Sequence, residues 1–228
     1  MSSLPPPWGS REPALQTWSC ARCAETQVAW GLIPTDRLCH ACQDRSNPVA
    51  DRAEEAAGIP RRYRGLSRRS WEECFGRPWP LTAWDKPGRP HWLVLWGPTG
   101  TGKTGLATVL LAEHVRTGRS GRWISGSGFA EQLRGEIAAG GDLLGQLRVT
   151  GLLVLDEPLI VDPTAWFWDR LGALCRARDE EGRPTIVTAQ LDPAGLLDAQ
   201  VPPPLVSRWA SGFRRCLDGE DVRLRRRS

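Results

Sequence analysis

Residues 97–104 read GPTGTGKT, a complete G-x-x-x-x-G-K-[ST] string. Gly97, Gly100 and Gly102 let successive backbone N–H groups converge on one centre. A helix starting near Lys103 adds the positive end of its dipole, so the segment is suited to cradle a polyphosphate. Pro98, Thr99, Thr101 and Gly105 complete this stretch, with Lys103 placed to reach β- and γ-phosphates and Thr104 to hold Mg²⁺. Downstream, GLLVLDEP puts Asp156 and Glu157 at the end of an apolar run. Asp156 would complete the Mg²⁺ shell, and Glu157 is suited to polarise an attacking water. Such an acid pair favours hydrolysis over transfer to a small-molecule acceptor, which would need an acceptor pocket and a lid.

A second chemistry is written in the cysteines. Cys20 and Cys23 form one CxxC pair and Cys39 and Cys42 another, with fifteen residues between the pairs, which fits a zinc-binding spacing. Two such turns close a tetrahedral Cys₄ shell, leaving no open position, so the expected Zn²⁺ is structural. A segment this short buries little apolar surface, whereas zinc contributes on the order of 10–16 kcal/mol in comparable peptides. The rival, a redox dithiol, would sit in a βαβ pattern that is missing here. His40 is surplus to a filled shell. Cys74, Cys175 and Cys216 are scattered singly, and His91 and His114 carry no constellation.

The elements that must position these groups follow from periodicity. His91–Trp96, Arg122–Ser125, Gly151–Leu155 and Thr185–Ala189 read as strands. Lys103–Arg116, Phe129–Ala139 and Thr164–Arg178 read as helices. The alternation predicts an α/β fold with a parallel sheet covered by helices on both faces, three layers in all. Trp92, Trp96, Trp166 and Trp168 fall where aromatics usually pack. Residues 60–90 resist assignment. They carry five arginines between Arg61 and Arg69, which, with Arg223, Arg225, Arg226 and Arg227, offer basic patches for phosphates; an exposed tryptophan would allow base stacking.

Composition bounds the rest. The chain has 228 residues, a net charge of +4, 40% hydrophobic and 25% charged residues, which excludes a disordered chain and a strongly basic nucleic-acid module. At about 150 residues per domain there is room for one full core and a small module. The expected division is a Pro-rich tail over 1–18, a zinc module over 19–45, a linker with a short helix over 46–60, and the main domain over 61–228. The prolines at 202–204 read as a loop. No apolar run approaches the roughly 18 residues of a membrane span, and the first residues lack the regions of a signal peptide. A cytoplasmic location without membrane contact is expected.

From residue 58 to 228 the order of segments resembles the AAA+ ATPases of the bacterial helicase loader family, DnaC and DnaI type, and their relatives the IstB-type transposition helpers. Besides the two motifs above, the resemblance rests on GIPRRYR (58–64), RPTIVTAQL (183–191), SRW (207–209) and GEDVRLR (219–225). It implies a P-loop NTPase (AAA+) fold that binds ATP and Mg²⁺. Gln190, with Thr188 as the alternative, matches the sensor at the γ-phosphate, where a Gln amide offers the groups of the usual Asn one methylene further out. Arg208 matches the arginine finger that reaches a neighbouring subunit, and Arg223 the C-terminal sensor arginine. DnaI-type loaders carry an N-terminal zinc module that docks on the helicase, which favours a loader, although such a module could equally touch nucleic acid. The implied function is ATP-driven delivery of a hexameric replicative DNA helicase to single-stranded DNA, by a protein that self-associates or docks on a ring. The alternatives are an IstB-like helper of a transposase, a non-hydrolysing zinc adaptor stabilised by nucleotide, and a P-loop kinase.

Overall fold

The computed structural model describes residues 15–19, 26–30, 48–81, 84, 90–159 and 163–222. Near the N-terminus, β1 (Leu15–Ser19) and β2 (Thr26–Trp30) form an antiparallel hairpin that pairs Leu15 with Trp30 and Ser19 with Thr26. β1 begins inside the stretch expected as a tail, because pairing with a second Thr- and Trp-bearing segment orders residues whose own composition has no period. Residues 20–25 and 31–47, and with them Cys20, Cys23, Cys39 and Cys42, lie outside the described residues.

The main sheet is parallel throughout. β3 (Trp92–Trp96), β4 (Gly121–Ser125), β5 (Leu152–Asp156), β6 (Thr185–Ala189) and β7 (Phe213–Cys216) lie in the order β4-β5-β6-β3-β7. β3, β5 and β6 are apolar on both sides, as parallel strands covered on both faces must be. Their alternation divides the core in two. Leu93, Leu95, Val154 and Ile186 face one layer, while Trp92, Val94, Leu153, Leu155 and Val187 face the other.

The first layer contains α1 (Pro48–Ala56), α2 (Arg68–Phe75) and α3 (Lys103–Arg116). The second contains α4 (Gly126–Ala139), α5 (Leu143–Val149), α6 (Ala165–Glu180), α7 (Pro193–Asp198) and α8 (Pro203–Ala210). The strand and helix expectations of the sequence are met with small shifts at the ends. α4 starts before Phe129 because the Ser125 hydroxyl accepts the Gly128 N–H as a cap, and Thr164 caps α6 through the Phe167 N–H. Trp92 is fully buried, and Trp96, Trp166 and Trp168 pack partly buried against the second core.

Two expectations are corrected. The stretch expected as a linker holds the short helix, but the helix is fastened to the main domain. Ala57 and Ile59 are in the first core, the Trp123 N–H donates to the Ala57 carbonyl at 2.7 Å, and the buried Glu54 carboxylate accepts from Arg116 and from the Gly65 N–H. The cause is tertiary: the charged, Ala-rich helix has α3 as its partner. The prolines at 202–204 do not form a loop either. Pro202 is the N-cap of α8, and Pro203 and Pro204 occupy its first turn, where the missing N–H costs nothing and φ is preset. Among the described residues no helix is long and apolar enough to cross a membrane.

Far from the glycine-rich loop, the fully buried Arg178 knits three segments together. Its guanidinium donates to the carbonyls of Leu147, Arg148, Thr150 and Pro184 and to the Thr185 hydroxyl. Burial, followed by the nearby Arg183 charge, lowers its pKa to about 10, so the group stays charged at neutral pH. Removing it would strand several buried carbonyls at the end of α5 and the start of β6. Arg178→Met is expected to lower unfolding free energy by about 3–5 kcal/mol, the range for opening a buried charged network, as read by urea denaturation.

Candidate functional site

The glycine-rich loop leaves the carboxyl end of β3. Gly97 has φ 138° and abuts the Leu217 carbonyl so closely that any Cβ would collide with it. This approach is fixed by the Leu217 N–H, which donates to the Trp96 carbonyl at 2.7 Å. Gly102, at φ 94°, is the N-cap of α3, and the Phe75 ring fills the space a side chain would need, with Cζ 2.5 Å from an ideal Cβ. Both glycines are therefore demanded by backbone geometry and by a neighbour. The Thr101 hydroxyl donates to the Pro98 carbonyl at 2.9 Å and closes the turn; Pro98 and Thr99 are exposed. Gly105 is buried beside Trp71 and Leu66.

The loop is fastened from outside by residues that its motif does not announce. The Trp71 indole N–H reaches the Gly102 carbonyl at 3.2 Å, and Trp71 stacks on Phe75 at 4.8 Å between centroids. Arg77 lies over both rings and bridges the Thr101 carbonyl at 2.8 Å and the Asp218 carbonyl at 2.9 Å. On the far side the Val222 N–H meets the Gly100 carbonyl, and the Asp221 carboxylate lies against Gly100 where a Cβ would otherwise be. These contacts come from a stretch the sequence left unassigned and from the strand end at Leu217, so only proximity reveals them.

Inside the loop, the buried Lys103 ammonium donates to the carbonyls of Gly97 and Pro98, each at 2.7 Å. The Thr104 hydroxyl donates to Asp156 Oδ1 at 2.8 Å. The same oxygen accepts the Thr188 hydroxyl at 2.8 Å, and Thr188 Oγ1 in turn accepts the Glu157 N–H at 2.9 Å. Burial pushes the Asp156 carboxyl above the ordinary carboxylate range, and the hydrogen bonds from Thr104 and Thr188 work against that rise. The neighbouring Glu157 charge adds to it, while Arg62, exposed on the turn Arg61–Tyr63, opposes it. Glu157 is exposed and adopts φ 46°, a left-handed conformation that few non-glycine residues tolerate.

The structure thus brings Lys103, Thr104, Asp156, Glu157 and Thr188 to one edge of the sheet. A hydroxyl and a carboxylate oxygen 2.8 Å apart, beside a cationic loop, are the hard oxygen donors that suit Mg²⁺. Gln190 is exposed just past the end of β6, whereas Thr188 is fully buried and in contact with Asp156. Arg208 does not join them. On α8, its guanidinium donates to the Pro204 carbonyl and sits 3.5 Å from Asp179, whose carboxylate also accepts from His91 and from the Trp92 indole. That places Arg208 at the amino end of β3, about 13 Å of strand away from the loop at its other end. Arg223 lies outside the described residues, as do the four CxxC cysteines. Among the described residues no group of three or more His, Cys, Asp or Glu side chains could hold a metal ion. The basic stretch from Arg61 to Arg69 is largely paired: Arg64 with Glu55, Arg68 with Glu113 and Arg69 with Glu73.

No protein-family model matches the sequence, and no curated protein does. Solved structures do resemble it in fold. Domain III of the Thermotoga maritima replication initiation protein DnaA superposes with a TM-score of 0.54 at 19% identity, covering 78% of this chain and 66% of that one. A replication initiator DnaA bound to AMPPCP and single-stranded DNA gives 0.53 at 20% identity, over 57% of this chain and 41% of that one. The DnaC helicase loader gives 0.52 at 18% identity, over 59% and 82%. The matched region spans about two fifths of that initiator's length. The sheet order, the glycine-rich loop after β3 and these neighbours show a parallel α/β fold of the P-loop kind, shared with those DnaA and DnaC structures.

A carboxylate held above its ordinary pKa disfavours the folded state once it is ionised. Its cost is present above the raised folded pKa, shrinks as pH falls through it, and vanishes below the unfolded value, where both states are protonated. Without nucleotide or divalent cation, Asp156→Asn is therefore expected to raise the thermal midpoint at neutral pH. The gain should fade as pH is lowered from the raised folded value to the ordinary carboxylate range and be gone below it, as read by calorimetry across a pH series.

Proposed function

We propose that this chain binds ATP with Mg²⁺, hydrolyses it, and uses the cycle to deliver a replicative DNA helicase to single-stranded DNA. The observation that carries the reading is the hydrogen bond from Thr104, which follows Lys103 at the start of α3, to Asp156, which precedes Glu157 at the carboxyl edge of the parallel sheet. Backbone N–H groups of the loop and Lys103 bind the phosphates, and Lys103 gives up its bonds to Gly97 and Pro98 in doing so. Thr104 and Asp156 would hold Mg²⁺, which supplies charge neutralisation between the β- and γ-phosphates. Glu157, exposed at the strand end, accepts hydrogen bonding from the attacking water, and Gln190 beyond β6 is the candidate partner of the γ-phosphate.

Arg208 is assigned to a neighbouring subunit's nucleotide, a role its distance from its own loop supports, and Arg223 to the C-terminal sensor. The helicase and DNA partners are supported by the segment order and by the names of the neighbouring structures, a helicase loader and an initiator bound to single-stranded DNA. Cys20, Cys23, Cys39 and Cys42 are assigned one structural Zn²⁺ on their spacing, in a module that docks on the helicase.

The test is phosphate release on single-stranded DNA together with capture of a hexameric replicative helicase, each with and without ATP. Lys103→Ala is expected to abolish nucleotide binding. Glu157→Gln should bind normally but lose about 10²–10⁴-fold in turnover, and equal turnover in Glu157→Gln and the unaltered chain would refute its role. Arg208→Ala should bind ATP yet hydrolyse it about 10³–10⁵-fold more slowly, and mixing it with Lys103→Ala subunits should restore some activity. Metal analysis should find one zinc per chain, lost in Cys39→Ser with a fall in thermal stability.

A further inference from the structure

We infer that Thr188 is a positioning residue of this site: one buried hydroxyl holds the Asp156 carboxylate and the Glu157 main chain together, so that metal acid and water-polarising acid are set as a unit. The inference rests on the reading of the loop as a magnesium–nucleotide site. Its geometry comes from the sheet. β6 lies between β5 and β3, and Thr188 is the register partner of Asp156 on one side and of Leu95 on the other.

A hydroxyl has one proton and two lone pairs. An ionised Asp156 can only accept, so the Thr188 proton goes to Oδ1 at 2.8 Å, and a lone pair takes the Glu157 N–H at 2.9 Å. Both bonds together orient the rotor. The second bond matters because Glu157 stands at φ 46°, a conformation that persists only when its surroundings hold it. Tethering its N–H fixes the direction in which the Glu157 side chain leaves the strand.

Thr188 also differs in kind from the other donor to Asp156. Thr104 is the residue that would hold Mg²⁺, through a lone pair of its hydroxyl while its proton stays on Oδ1, so it serves metal and carboxylate at once. Thr188 is fully buried and its bonds go to the two acids, so its part is to hold them rather than to bind the metal. Gln190, exposed past the strand end, acts on the nucleotide; Thr188 acts only through the two acids.

Thr188→Val keeps the β-branched shape and removes the hydroxyl, while Thr188→Ser keeps the hydroxyl and removes the methyl. The full-length protein carrying each is compared with the unaltered chain in three measurements. These are amide exchange at Glu157 without nucleotide, affinity for a fluorescent ATP analogue in excess Mg²⁺ and in EDTA, and steady-state hydrolysis. In Thr188→Val, Glu157 exchange should speed up, EDTA affinity should be unchanged, and the affinity gained from Mg²⁺ should fall about 10-fold, as for loss of one hydrogen bond to a charged group. kcat should drop more than KM changes, and Thr188→Ser should stay near the unaltered chain in all three. If Thr188→Val keeps the Mg²⁺ gain and the slow Glu157 exchange, or if Thr188→Ser is as impaired as Thr188→Val, the inference is overturned while the site reading stands. If the unaltered chain binds no nucleotide in either buffer, the site reading itself fails and takes the inference with it.

Discussion

The site depends on a buried carboxylate held by two hydroxyls. Asp156 Oδ1 collects the Thr104 and Thr188 hydroxyls, and through them it ties the start of α3, the end of β5 and the middle strand β6 to one point. Burial opposes ionisation there, and the two donors partly offset it. A side chain that disfavours the fold in its charged form fits the role proposed for it, since stability is commonly traded against activity.

The sheet order is what allows this meeting. β3 carries the loop and β5 carries the acids, but β6 separates them, so the acid and the loop hydroxyl meet across an intervening strand. The residue at that position on β6 must be small, compatible with a strand and able to donate and accept at once. Threonine meets all three needs, and at Thr185, at the other end of β6, a second buried threonine hydroxyl meets the Arg178 guanidinium. The two ends of the strand thus carry polar contacts, while the residues between them are apolar and buried.

Around the loop, the collar of Trp71, Phe75, Arg77 and the segment from Leu217 to Val222 restrains backbone whose three glycines have no side chains to pack. Loop glycines give the phosphate nest its shape and cost conformational entropy on folding, so neighbours must hold them. Glu54 and Arg116 extend the same restraint outward, since the Glu54 bond to the Gly65 N–H anchors the turn that leads into α2. The helix over 48–56 thus belongs with the collar in physical terms.

Much was legible in the chain alone. The full motif at 97–104, the apolar run ending in Asp156 and Glu157, and the alternation of strand and helix periods each follow from local chemistry, because phosphate nests, buried parallel strands and amphipathic helices have short-range signatures. β7 had no such signature: FRRC is polar, and it is a strand only because β3 offers it an edge. α5, α7 and α8 are too short for a clear period, and the prolines at 202–204 carry a loop composition although they cap and open α8. Arg77 and Trp71 belong to the site through contacts far apart in sequence. That Thr188 rather than Gln190 touches Asp156 is a matter of burial and register. Residue type and spacing determined which groups could do chemistry; which of them touch was decided by strand order, since only folding brings residues 71, 104, 156 and 188 together.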